Sequence, residues 1–224
     1  METSLTPSTR EALPWYRAWI LALTGPNPPA YEDLVTRSGV TTGKAYLWVF
    51  LSAAIGSAVA MGLLVAFGVS GLTNPAVRDL YSNLASSAVL LACWVPIAGV
   101  LAILGLMIST GISHILARAF GGTGTFTQLA YAIAAYTAPV ALVTAPLAFI
   151  PLVNCLTWPL SFYLMFLNIV AIKAVHHLSW GRAFLSSTLF VALVLGILAC
   201  GLIVILVLMG PAIGGVFSNI TGGL

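Results

Sequence analysis

The sequence predicts an all-α integral membrane protein: five transmembrane helices in one bundle, preceded by an interfacial amphipathic helix. Three observations predict it. Hydrophobic residues make up 60% of the 224 residues and charged ones 6%, with a mean hydropathy of +1.08, far from the balance of a water-soluble domain. Residues 80–117 hold no charged side chain other than the titratable His114, and residues 119–172 hold none at all. Both blocks exceed the roughly 20 apolar residues that cross about 30 Å of hydrocarbon. Finally, the Lys and Arg residues fall almost entirely on alternate connections between apolar blocks.

The first 40 residues read as a cytoplasmic N-terminal segment. Residues 1–13 are polar, and residues 1–24 lack the basic start, apolar run and small-residue site of a secretory signal, so the first span is expected to direct insertion. At about 14–24 an interfacial helix is expected, with Trp15, Trp19 and Leu23 on one face and indole rings suited to the headgroup layer. Gly25, Pro26, Pro28 and Pro29 end it, and Tyr31–Val35 are expected to form one acidic turn. Thr41 or Thr42 then caps the first span.

The membrane domain covers residues 41–210, with spans at about 45–69, 96–117, 126–150, 155–175 and 183–209, and residues 211–224 form an outer tail. Ser52, Gly56 and Ala60 on the first span, and Gly105, Ser109 and Ser113 on the second, repeat small residues every fourth position, which lets helices approach closely. Residues 70–84 are a polar loop, and residues 86–95 a stub or extension set off by Pro96. After Arg118, Gly121-Gly122-Thr123-Gly124 reads as a flexible connector, and Thr125 with Gln128 as a capping box for the third span. Pro139 and Pro146 are expected to kink or break that span.

Five spans place Arg10, Arg17, Arg37, Lys44, Arg118, Lys173 and Arg182 on one side and Arg78 alone on the other. By the positive-inside rule the N-terminus is cytoplasmic and the C-terminus outside. The candidate cytoplasmic interaction surface comprises Trp15, Trp19, His114, Arg118, Lys173, His176, His177, Trp180 and Arg182, a basic and aromatic set suited to anionic headgroups or an acidic partner. Helix-end anchoring explains the same residues.

Chemistry beyond that finds little support. His114, His176 and His177 lack an accompanying carboxylate, and adjacent histidines on a helix diverge by about 100°, so no metal site is expected. Gly111-Ile112-Ser113-His114 lacks the nucleophile elbow, and no Gly-Lys-Ser/Thr follows the glycine loop, so neither an enzyme nor a cofactor is expected. Cys93, Cys155 and Cys200 read as buried free thiols. The net charge of +3 is too scattered for nucleic acid.

Three runs carry a resemblance: Thr42-Gly-Lys-Ala-Tyr-Leu-Trp-Val-Phe50, His114-Ile-Leu-Ala-Arg-Ala-Phe-Gly-Gly-Thr-Gly-Thr-Phe126 and Ala171-Ile-Lys-Ala-Val-His-His-Leu-Ser-Trp-Gly-Arg-Ala183. Over about residues 30–205 the chain resembles prokaryotic members of the YIP (Ypt-interacting protein) family. The resemblance implies five spans and a cytoplasmic N-terminus. Eukaryotic relatives act in vesicle traffic, associate with Rab-type GTPases and with one another, and are thought to shape membranes. The N-terminal region here is much shorter than theirs, which counts against GTPase binding. The expectation is therefore a non-enzymatic protein of a prokaryotic plasma membrane that organises lipids, other membrane proteins or copies of itself. A small transporter or channel, with a path through the proline-containing third and fourth spans, is the alternative.

Overall fold

A computed structural model describes residues 11–63, 79, 88–147 and 157–221. The loop expected at 70–84, Asp79 apart, and the hairpin at 151–156 lie outside the described residues, as does Cys155. Every described element is helical: α1 (Trp15–Thr24), α2 (Pro28–Thr36), α3 (Thr42–Leu63), α4 (Ala88–Ala119), α5 (Phe126–Leu147), α6 (Thr157–His176) and α7 (Trp180–Thr221). Helices α3 to α7 are the five long and apolar enough to cross a membrane. The chain divides into two compact units, Met1–Ser187 and Thr188–Leu224.

Helix starts follow local chemistry. The Asn27 side chain caps α2 by accepting the Ala30 N–H at 2.9 Å, with prolines in the first helical positions, where no N–H is needed. The prolines expected only to end α1 thus also start a nine-residue helix where a single acidic turn was expected. Thr41 accepts the Lys44 N–H at 3.3 Å and caps α3. The capping box of α5 forms, with the Gln128 N–H on Thr125 Oγ1 at 3.3 Å and the Thr125 N–H on Gln128 Oε1 at 3.1 Å.

Prolines interrupt less than expected. Helix α4 runs from Ala88 through Pro96 and α5 through Pro139 without a break. Residues 88–95 are therefore continuous with the second span, and α4 is roughly 48 Å long. Each proline removes one N–H, a cost that neighbouring helices and side chains can offset inside a bundle.

Within the first unit, α3 is the central packing partner. Ser52, Gly56 and Ala60 are buried, and a Cβ on Gly56 would stand 3.1 Å from Ala145 Cβ and 3.2 Å from the Ala141 carbonyl of α5. The small-residue stripe lets these backbones meet. On another side of α3, Phe50 lies so near Gly99 of α4 that a Cβ there would come within 2.5 Å of the ring. The stripe expected on α4 is out of phase. Gly105 is exposed with no atom within 4 Å of a Cβ, Ser109 is half-buried and only Ser113 is buried. The packed line is Leu106, Thr110, Ser113 and Ala117. Residues four apart drift about 40° per step around a helix, whereas these four stay within about 60° of one line.

The second unit is the continuation of α7. It is apolar all round, with Leu195, Ile197, Leu198, Val207 and Leu208 among many exposed side chains, as suits a lipid-facing span. The expected tail after 210 is instead helical to Thr221. Cys93 and Cys200 are free, as expected, but exposed rather than buried.

Candidate functional site

The cation-bearing ends of the first unit meet at one rim. Thr42 Oγ1 lies 3.1 Å from Thr127 Oγ1, which joins the starts of α3 and α5. The Thr123 N–H donates to the His176 carbonyl at 3.3 Å, tying the α4–α5 loop to the end of α6. Arg182 Nη1, near the start of α7, donates to the Phe120 carbonyl at 3.4 Å.

Two helix ends build the rim in the same way. At the end of α4 the Gly122 N–H reaches the Ala117 carbonyl and the Gly121 N–H the Arg118 carbonyl, both at 2.9 Å, with Gly121 at φ +90°. This Schellman geometry favours glycine at the left-handed position. At the end of α6 the Leu178 N–H reaches the Lys173 carbonyl at 3.2 Å, but here His177 takes the left-handed φ of 53°.

The glycine loop is a clamp rather than the flexible connector expected. A Cβ on Gly122 would stand 2.8 Å from the Ala117 carbonyl and 2.9 Å from His176 Nδ1, and one on Gly124 would strike the backbone of Val175. The glycines serve here mainly by lacking a side chain, which lets loop and helix touch.

The structure sorts the expected surface residues into two groups. Arg118, His177, Trp180 and Arg182 are exposed, and Lys173 is half-buried. Lys173 Nζ donates to the Leu178 carbonyl at 3.1 Å and lies 5.2 Å from the centre of the Trp180 ring, a cation–π contact that desolvation strengthens. His177 Nδ1 stands 3.9 Å from Glu32 Oε1. His176, by contrast, is only 1% exposed and cannot form part of a surface; its Nε2 lies 3.3 Å from Nδ1 of the half-buried His114. Phe126 packs edge-on against His114.

The tryptophans of α1 divide as well. Ala18 and Ala22 form its closest packing face, while Trp19 and Leu23 are partly buried beside it. Trp19 stacks edge-on between Trp15 and Trp48, with ring centres 4.9 and 6.1 Å away. Trp15 is 56% exposed, and no described contact joins it to the Lys173–Arg182 group. Only i, i+4, i+8 spacing marked these residues, and spacing does not tell a face packed on protein from one facing lipid.

A polar chain runs inside the bundle. The Tyr136 hydroxyl donates to Asn168 Oδ1 at 3.4 Å, and Asn168 Nδ2 donates to Ser187 Oγ at 3.1 Å, linking α5, α6 and α7. Tyr31 donates to the Ala22 carbonyl at 2.8 Å. Among the described residues Ser161 bonds its own helix, at the Thr157 carbonyl. The interhelical bonds could not be located from one sequence, although a lone amide in an apolar span was a visible signal.

Among the described residues no three His, Cys, Asp or Glu side chains gather for a metal, and no hydrogen bond joins Ser113 to His114. What the rim can do is present cations, backed by one indole ring, on rigid helix ends.

A family model described as Yip1 domain matches residues 29–201. No curated protein and no solved structure matches the chain.

Proposed function

We propose that this chain, which belongs to the Yip1 domain family, is a non-enzymatic multi-pass membrane protein that organises anionic lipids or acidic protein partners at its basic rim. The observation that carries this reading is the grouping of Arg118, Lys173, His177, Trp180 and Arg182 on capped helix ends that the glycine loop locks together. Each cation near a membrane surface contributes on the order of 1 kcal/mol toward anionic headgroups. The charge asymmetry between connections supports a cytoplasmic rim and N-terminus with the C-terminus outside; on this reading the membrane is a prokaryotic plasma membrane. Self-association is one form such organisation takes; GTPase binding is not part of the reading.

The test is purification from native membranes in a mild detergent, with the accompanying lipids and proteins quantified for the wild type and for a triple variant carrying Arg118→Gln, Lys173→Gln and Arg182→Gln. Selective loss of a stoichiometric companion supports the reading. An unchanged complement of lipids and proteins overturns it.

One observation favours a small transporter or channel instead. A cleft of about 430 Å³ opens among α3, α5 and α6, lined by residues that include Ala53, Ala141, Thr144, Thr157, Ser161 and Leu164. Among the described residues its lining has no titratable side chain, and the Thr144 and Ser161 hydroxyls bond their own helices, which suits a weakly polar solute. Flux into liposomes that Ser161→Phe abolishes would establish this reading.

A further inference from the structure

From Ala18 to Tyr31 the chain has no charged residue, yet these 14 residues are too few to cross a bilayer, which takes roughly 20. They form the end of α1, a turn and the start of α2. Their contacts trace a path down into the bundle and back. At the rim, Arg37 pairs with Asp33 at 2.7 Å and reaches the Glu11 carbonyl, and Glu32 stands beside His177 at the end of α6. Lower down, Trp19 meets Trp48, which lies 4.9 Å from Tyr131. Trp48 and Tyr131 are about 9 and 7.5 Å along α3 and α5 from their starts. Lower still, the Tyr163 hydroxyl donates to the Leu23 carbonyl, and Tyr163 is about 20 Å along α6 from its His176 end.

The turn leaves no backbone N–H without a partner, although the Asn27 side chain is exposed. The Gly25 N–H donates to the Leu21 carbonyl at 2.9 Å and the Asn27 N–H to the Gly25 carbonyl at 2.7 Å. The Ala30 N–H donates to Asn27 Oδ1 at 2.9 Å, and the Tyr31 N–H to the Asn27 carbonyl at 3.4 Å. Pro26, Pro28 and Pro29 have no N–H to satisfy. Every backbone donor from residue 25 to residue 31 is thus paired within the protein or absent. A turn in water has no need of this, because solvent takes up spare donors; in hydrocarbon each spare donor costs several kcal/mol. Meanwhile Tyr16 and Ile20, the latter 58% exposed, face away from the protein along α1, between its start and the turn.

We infer that Trp15–Thr36 is a re-entrant helical hairpin. It enters the bilayer from the side on which α3, α5 and α7 begin, turns at Gly25–Pro29 near the middle of the hydrocarbon, and leaves on the same side. Tyr16 and Ile20 contact the acyl chains of that leaflet. The hairpin adds two helices to the first unit within that leaflet. This requires only that the five spans cross a bilayer, and it stands whether or not the basic rim binds a partner.

The test places a nitroxide at Ile20→Cys or Thr24→Cys in the full chain, with Cys93, Cys155 and Cys200 replaced by alanine, reconstituted in phosphatidylcholine–phosphatidylglycerol liposomes. Both positions are exposed, so the label displaces no packed side chain. Labels at Leu101→Cys, exposed on α4, and at Glu11→Cys serve as lipid and water references. Labels at Ile20 and Thr24 are expected to match Leu101 in preferring collisions with oxygen over a water-soluble nickel chelate, with Glu11 showing the reverse. If both labels meet the chelate as readily as Glu11 while Leu101 stays protected, the hairpin lies outside the bilayer and the inference falls. If Leu101 is also open to the chelate, the spans do not cross, and the inference falls with them.

Discussion

His114 Nδ1 lies 3.3 Å from His176 Nε2, a contact that joins the last turns of α4 and α6 across 62 residues of sequence. One ring must donate and the other accept, and two charged rings at that distance would repel. The contact therefore excludes a pair of charged imidazoles. Replacing His114 with alanine leaves a buried nitrogen of His176 without its partner. The expected cost is about 1–3 kcal/mol, read as a lower unfolding midpoint in detergent, with His114→Gln recovering part of it. A His114→Ala midpoint equal to the wild type's would show the contact to be incidental.

The glycine clamp makes a sharper prediction. Gly124→Ala drives a methyl group into the Val175 backbone, and Gly122→Ala drives one against the Ala117 carbonyl. Backbone cannot swing aside as a side chain does, so each is expected to lose more than about 2 kcal/mol. Gly105→Ala, where nothing lies within 4 Å, is expected to gain about 0.5–1 kcal/mol from helix propensity. Comparing the three by thermal unfolding separates close approach from mere glycine content.

A matching pair tests the α3–α5 contact. At Gly56 a Cβ already stands 3.1 Å from Ala145, so Gly56→Leu has to push the helices apart. Gly62→Leu, on the same helix, enters open space. Proteolysis of the reconstituted protein is expected to speed up for the first substitution and to remain unchanged for the second.

Tyr31 is fully buried, and its hydroxyl donates to the Ala22 carbonyl, binding α2 to α1. Tyr31→Phe removes that donor while keeping the ring. A loss of about 1–2 kcal/mol is expected, seen as faster amide exchange confined to residues 15–36. Uniform exchange changes across the chain would mean that the two helices are not held by this bond.

At the start of α5, Thr125→Ala removes the acceptor for the Gln128 N–H. About 1 kcal/mol of stability is expected to go with it. Thr125→Ser, which keeps the hydroxyl, is expected to stay near the wild type.

Much of this was legible in the residues. The capping box could be read because its two partners lie three residues apart, and the Ser52–Gly56–Ala60 stripe because its spacing coincides with the buried face. Gly105, Ser109 and Ser113 obey the same spacing, yet the packed line runs through Leu106 and Thr110. Small residues permit close approach without requiring it, so spacing alone could not choose the phase. His176 and His177 looked equivalent until the chain reversed between them, burying one ring and exposing the other.

By itself the sequence determined where the chain can enter hydrocarbon, because the cost of placing charge there is borne residue by residue and is read from composition along the chain. It thereby set five long apolar helices and kept their cations at the ends. Only the tertiary structure decided what each helix face meets: that Trp19 turns to Trp48, that His114 meets His176, that Asn168 links Tyr136 to Ser187, and that Tyr163 anchors the Leu23 carbonyl. Those pairings depend on distances between residues far apart in sequence, which close packing sets and local pattern does not.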